Sequence, residues 1–413
     1  MKLIVTVPFF GLVLAVLSCE AKEPSPLPKI VPWDVGALTS NIPEVQWLDT
    51  ASPRKVRPLT YPGDVYRGKP TRVFAWYASP TTLGVQTTTQ NYPGIVLVHG
   101  GGGRAFEKWA ELWAKRGYAA IAMDLAGCVV DGKRIPDGGP GQTDAEKFGV
   151  IENTMKDRWT YHAVGNVIRA HSLLRSFEEV KGQKTALTGI SWGGYLTCIV
   201  SGLDQRFSVT MPVYGCGFLR DNSVWKESQF SKMAEQDADS WHAFWDPSQY
   251  VGAATMPVLF VNGTNDFAYP MDSYAKTCAL VTGEKNYSIQ LKMPHGHLFE
   301  FPEFFGFVDQ YLLGTTPMAV VSRPSVSAGK LAAIVKAATK LVSARLHYTT
   351  GSHRSNKDRA WMTVALDLDG NTITGPAPPK EATVWYVDVR DNRKLLVSSE
   401  LMGPEPENPP SRR

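Results

Sequence analysis

The chain has 413 residues, 43% of them hydrophobic and 20% charged, with a formal net charge of +4. That is more than one ordinary domain needs and supplies enough apolar material for a sizeable core. The positive surplus is spread along the chain without a dense Lys/Arg stripe, which argues against a nucleic-acid partner.

Residues 1–19 read as a signal peptide of the lipoprotein type. Lys2 gives a positive start, and Leu3 to Leu17 is apolar but too short for a convincing membrane span. The run Val16-Leu17-Ser18-Cys19 has the form of a bacterial lipobox, although Leu17 is larger than usual there. Cys19 is thus the expected lipidation site and export the expected fate, either lipid-anchored to the cell envelope or, with a plain cleaved signal, periplasmic or secreted; the membrane is met only through an N-terminal lipid. Residues 20–32 form a Pro- and Lys-containing tether.

Residues 33–313 are expected to form an α/β catalytic domain. Thr71 to Tyr77 is a β-branched and aromatic strand candidate. Gly94 to His99 is a short apolar run of the kind buried on both faces of a parallel sheet. A helix is predicted from Phe106 to Arg116, a strand from Tyr118 to Met123, and an amphipathic helix from Tyr161 to Phe177. Lys184 to Gly189 predicts a strand and Gly193 to Ser201 a helix. Phe207 to Val213, Pro257 to Asn262 and Tyr287 to Met293 read as further strands, with a closing helix over Pro302 to Leu313. Strands alternating with helices imply a parallel sheet covered on both faces. Residues 314–329, rich in Ser, Pro and small residues, read as a linker. Residues 330–402 alternate with period two and predict a small β-sandwich. Residues 403–413 are Pro-rich and expected to be disordered.

Gly189-Ile190-Ser191-Trp192-Gly193-Gly194 matches G-x-S-x-G between a predicted strand and a predicted helix. A sharp strand-to-helix turn exposes the serine, and the helix N-terminus behind it favours a developing oxyanion. Ser191 is the expected nucleophile. Upstream, His99-Gly100-Gly101-Gly102-Gly103 ends an apolar strand, where a second oxyanion donor belongs. The N–H groups of Trp192 and of Gly101 or Gly100 are the expected donors, each worth about 3–4 kcal/mol to a tetrahedral intermediate. His99 reads as a loop-holding residue.

Asp266, at the end of Asn262-Gly263-Thr264-Asn265-Asp266, follows a strand beyond the elbow and is the expected acid, ahead of Asp272. Met293-Pro294-His295-Gly296-His297-Leu298-Phe299 offers two candidate bases. His297 is preferred because its surroundings follow a Gly-His-x-Phe pattern; His295 is the alternative. The H-x-H pair lacks an evident third ligand, so no metal is expected, and no cofactor motif is found. His162 and His171 read as structural. Cys128, Cys198, Cys216 and Cys278 show no C-x-x-C pairing, and both disulfides and buried thiols remain open.

With these motifs in hand, residues 93–313 resemble α/β-hydrolases of the dienelactone hydrolase, acetyl xylan esterase and prolyl oligopeptidase group. The stretches Trp159 to Ala163, Ala170 to Ser176, Thr188 to Tyr195, Pro212 to Gly217, Val261 to Pro270 and Met293 to His297 are similar to exported bacterial proteins labelled acetyl xylan esterases. The resemblance implies an eight-stranded sheet, a Ser191–Asp266–His297 triad, a small C-terminal β domain and deacetylation of carbohydrate. The expected partner is therefore an acylated carbohydrate or another ester, with Trp192, Tyr269, Tyr214 and Trp109 as candidate substrate contacts. Two other functions stay open: a prolyl-oligopeptidase-like peptidase, and a non-catalytic binding protein on the same scaffold.

Overall fold

The computed structural model describes residues 23–85, 91–149, 155–350 and 356–403. The signal segment with Cys19, residues 20–22 of the tether and the tail from residue 404 lie outside this range.

The catalytic sheet is built from β1 (Gln46–Trp47), β2 (Arg57–Pro62), β3 (Arg72–Ala78), β4 (Tyr92–Val98) and β5 (Ala119–Met123), followed by β6 (Val180–Ile190), β7 (Val209–Val213), β8 (Val258–Gly263) and β9 (Lys285–Gln290). Hydrogen bonding orders them β1-β2-β3-β5-β4-β6-β7-β8-β9. β1, β2 and β3 pair antiparallel, and the strands from β5 to β9 run parallel. β4, β5, β7 and β8 are buried at every position, as apolar runs covered on both faces should be.

Nine α-helices lie among the described residues: α1 (Val35–Ser40), α2 (Glu107–Lys115), α3 (Asp144–Phe148), α4 (Trp159–Ser176), α5 (Trp192–Leu203), α6 (Trp225–Ser228), α7 (Glu235–Trp245), α8 (Met271–Leu280) and α9 (Pro302–Leu312). α4 and α5 pack together against the central strands, while α2 and α9 meet through Trp113 and Phe305. The sequence predicts α4 to be amphipathic, but only Arg169, Arg175 and Ser176 escape burial. The N-terminal segment covers its outer side. Trp33 Nε1 donates to the Tyr161 carbonyl, and the Ser172 hydroxyl donates to that of Leu38.

Beyond residue 314 come β10 (Val320–Val321), β11 (Ser325–Ser327), β12 (Lys330–Lys336), β13 (Leu341–Thr349), β14 (Met362–Asp369), β15 (Thr372–Pro376), β16 (Val384–Asp391) and β17 (Leu396–Ser398), all paired antiparallel. β14 pairs with β13 as far as Leu366 and with β15 from Asp367 on, so it turns from one layer to the other. The stretch read as a linker is partly structured: Val320–Val321 and Ser325–Ser327 both pair with β12, because their backbone groups find a free strand edge there. β17 meets the edge of the catalytic sheet through Ser398 and Tyr287 of β9, and the Ser398 hydroxyl accepts from the N–H of Ile289 at 2.8 Å. Leu396 N–H donates to the buried Glu303 carboxylate on α9.

Candidate active site

β4 and β6 are neighbours in the sheet, although β5 lies between them in the chain. Ligand crevices in open α/β sheets form at the carboxyl ends of strands at such a reversal. Here those ends carry the Gly-rich run after Val98 and the serine after Ile190. Ser191 has φ 59° and ψ −117°, a strained conformation for a residue with a side chain. Its surroundings hold it there: its N–H donates to the Val213 carbonyl and its own carbonyl accepts from the N–H of Tyr195, both at 2.9 Å. A Cβ on Gly189 would run into the carbonyl of Gly193, and one on Gly193 into that of Val98. Only glycine lets β4, β6 and α5 approach this closely.

The serine hydroxyl lies 2.9 Å from Nε2 of His295, and Nδ1 of His295 lies 2.6 Å from Oδ2 of Asp266. Asp266 is buried, and its other oxygen accepts from the N–H groups of Ala268 and Tyr269 at 2.8 Å each. The His295 ring stacks on Tyr214, with centroids 4.5 Å apart. Tyr214 is fixed in turn by donating its hydroxyl to the Pro294 carbonyl.

The expectation that His297 would reach the serine is therefore corrected: the geometry brings His295 to that position. The reason is a tight turn in which Leu298 N–H donates to the Gly296 carbonyl at 3.0 Å. It carries His297 away from the serine and against Phe106, at a centroid separation of 4.8 Å. There its Nε2 accepts from the N–H of Gly100 at 3.0 Å. Burial pushes the His297 imidazole down to about 4, so it is neutral and free to accept. His99 is also a loop-holding residue. Its Nε2 accepts from Leu125 N–H, its Nδ1 pairs with the Gly100 carbonyl, and burial pushes it down to about 4.

The N–H of Gly100, one of the two expected oxyanion donors on that loop, is thus engaged by His297. Neither Gly101 N–H nor that of Trp192, the first residue of α5, has a hydrogen-bond partner among the described residues. A methyl group on Gly101 would lie 2.7 Å from Cδ1 of Trp192. The Trp192 ring anchors an aromatic wall with Trp225, Phe148 and Trp159, at centroid separations of 4.6, 5.7 and 5.6 Å.

Of the other aromatic residues singled out from sequence, Trp109 is buried against Phe299, and Tyr214 and Tyr269 are fully buried behind the His295 loop. They support the site rather than offering a face to substrate. Two residues the sequence reading passed over stand closer to the chemistry. Phe267 is 50% exposed with its ring 4.8 Å from that of His295. Lys147 on α3 places Nζ 4.5 Å from the Trp192 ring centroid. Phe267 follows the acid directly, a signal present in the sequence, whereas Lys147 comes just after a Thr-x-x-Glu capping box that marks its helix but not its neighbours.

Asp272 lies in the first turn of α8 and accepts from Asn222, far from any triad role. His171 is buried between Asp204 and Thr185, and His162 packs edge-on against Tyr66. Cys128, Cys198, Cys216 and Cys278 are free thiols, three of them buried. Among the described residues no cluster of His, Cys, Asp and Glu has the form of a metal site.

The acetyl xylan esterase (AXE1) family model matches residues 49–298, which is more than half of the chain and takes in Ser191, Asp266 and His295. The chain belongs to the acetyl xylan esterase family. It is a hydrolase acting on esters, of the carbohydrate esterase-like serine hydrolase kind. The fold agrees with that of the acetyl xylan esterase from Paenibacillus sp. R4, at 21% identity and a TM-score of 0.53, over 67% of this chain and 92% of that one. Acetyl xylan esterase 1 from Thermoanaerobacterium sp. JW/SL YS485 is 16% identical, with a TM-score of 0.49, over 70% of this chain and 95% of that one.

Proposed function

We propose that this family member removes small acyl groups, acetyl above all, from carbohydrate, with Ser191 as nucleophile, His295 as base and Asp266 as the acid that orients it. The observation that carries the reading is the unbroken pair of hydrogen bonds from the Ser191 hydroxyl through His295 to Asp266, at 2.9 and 2.6 Å. Nε2 of His295 takes the serine proton as Oγ attacks the ester carbonyl. Asp266 keeps the remaining ring proton on Nδ1 and stabilises the imidazolium that forms. The N–H groups of Gly101 and Trp192 receive the oxyanion. His295 then returns the proton to the departing sugar hydroxyl, leaving an acyl-enzyme. Water, deprotonated by the same imidazole, adds to the acyl carbonyl, and collapse releases the acid and restores the serine. A nucleophile only 9% exposed, beside an aromatic wall, suits a small acyl group better than a long chain.

The test is acetate release from acetylated xylo-oligosaccharides, with a peptide anilide as the competing substrate and a fluorophosphonate probe on Ser191. Labelling of Ser191 with acetate release supports the reading. Cleavage of the anilide alone would make the chain a peptidase, and no labelling would return it to a binding scaffold. We also propose export with a lipid on Cys19, supported by the leader's composition. Metabolic labelling with palmitate, lost on Cys19→Ala, tests it; a soluble unlabelled product ends it.

A further inference from the structure

Lys147 is a buried cation that the acyl-transfer chemistry does not use. It is 6% exposed and forms no ion pair among the described residues. Its Nζ lies 4.5 Å from the Trp192 ring centroid and 5.5 Å from that of Trp159. A methyl group on Gly101 would be 3.7 Å from it, so the ammonium borders the loop that carries the proposed oxyanion donor.

The position is built rather than incidental. α3 is fixed by a reciprocal capping box between Thr143 and Glu146, and Trp241 Nε1 donates to the carbonyl of Lys147 itself at 2.9 Å. The two carboxylates of the same helix act on the ammonium only through space, and their hydrogen bonds go elsewhere. Glu146 accepts from Gly141 N–H and from Thr143, and Asp144 accepts from Gln229. A cation withdrawn from water is costly unless an anion or polar partners receive it, and two aromatic faces return only part of that cost. Burial pushes the Lys147 amine down to about 8, which still leaves most of it charged at neutral pH.

We propose that the Lys147 ammonium is a subsite for a carboxylate carried by the ester substrate, so that the enzyme favours esters with an anionic group near the scissile carbonyl. The inference rests on the esterase reading and adds the substrate's charge to it. The carboxylate belongs either to the acyl group, as in a dicarboxylic half-ester, or to the sugar, as in an acetylated uronic acid.

The experiment measures kcat/KM in two arms. One compares p-nitrophenyl hemisuccinate with p-nitrophenyl acetate, the other an acetylated methyl glucuronoside with the matching methyl glucoside. In each arm the readout is the anionic-to-neutral ratio, compared between the parent and Lys147→Met, Lys147→Gln and Lys147→Arg, so that intrinsic reactivity cancels. A charge-assisted contact predicts a fall of about tenfold in one arm for Met and Gln, and a ratio kept by Arg. The arm that responds identifies where the carboxylate sits. A fall below about threefold in both arms overturns the proposal. Should Met and Gln fail to fold, the parent alone decides. Succinate must then inhibit p-nitrophenyl acetate turnover at about one-tenth the concentration needed with acetate, and equal potency overturns the subsite. Loss of p-nitrophenyl acetate turnover in Ser191→Ala keeps the two levels apart. If the parent shows no Ser191-dependent turnover, the esterase reading fails and takes the subsite with it.

Discussion

The N–H of Gly100 donates to Nε2 of His297 at 3.0 Å, so the second histidine of its loop holds the Gly-rich turn while the first faces the serine. The two imidazoles therefore differ in what their loss should do. His295→Ala is expected to lower kcat by about a thousandfold or more, the scale for removing a triad base. His297→Ala leaves the triad and unpairs only one loop amide, so the loss should stay within about thirtyfold. Steady-state kinetics of the two variants on one chromogenic acetate check this, and a reversed order would return the base to His297.

Gly101 tests the oxyanion assignment through the position of its backbone N–H. A methyl group there would press on the Trp192 ring from 2.7 Å, and the loop would have to shift. Gly101→Ala is expected to lower kcat by about a hundredfold, the cost of a misplaced donor. The melting temperature should stay within a few degrees. Equal kcat in parent and variant would remove this loop from the mechanism.

The segment before β14 meets the acid loop through two asparagines, one on each side. Asn356 donates to the Asp266 carbonyl at 2.9 Å, and the Asn265 amide donates to the carbonyls of Asn356, Lys357 and Arg359. Asn265→Ala leaves those carbonyls to find other partners and should cost about 1–3 kcal/mol of stability. Because Asp266 is the next residue, kcat should fall as well, with KM little changed. Denaturant unfolding together with kinetics separates the two effects; a stable variant of full activity would mean that the loop holds itself.

His99 makes acid stability a readout of the loop. Its folded value of about 4 lies below the ordinary 6.5, so below pH 6.5 the unfolded chain binds a proton that the folded chain refuses. The stabilisation is complete above pH 6.5 and is lost as pH falls towards 4. A shift of this size is worth on the order of 3 kcal/mol. His99→Gln, which has nothing to titrate there, should show a shallower loss of melting temperature over that window. Parallel curves would mean that other groups carry the acid lability.

The sheet was readable because β4, β5, β7 and β8 are short, largely apolar runs, and burial on both faces leaves little choice of residue; in β6 only the half from Thr185 on is buried throughout. The serine was readable because the elbow tolerates so few residues: Gly189 and Gly193 face carbonyl oxygens that no Cβ could pass. The choice between His295 and His297 was not readable. It depends on a three-residue turn at Gly296, and an extended loop would point both imidazoles to the same side. α4 misled for a related reason: its outer face is apolar enough to be covered, and the cover comes from Trp33 and Leu38, more than 100 residues upstream. Lys147 escaped notice because nothing in its own helix reveals that Trp192 and the Gly101 loop stand above it.

The strand Leu396–Ser398 lies on the edge of the catalytic sheet, and Asn356 lies under the acid. Both come after the last helix of the hydrolase sheet in the order of synthesis. A nascent chain emerged to residue 313 already carries the serine, the carboxylate and both imidazoles, yet it presents an uncovered β9 edge and an acid loop without its downstream support. A truncation made there to isolate a minimal hydrolase would bare a strand edge of the kind that pairs with other chains.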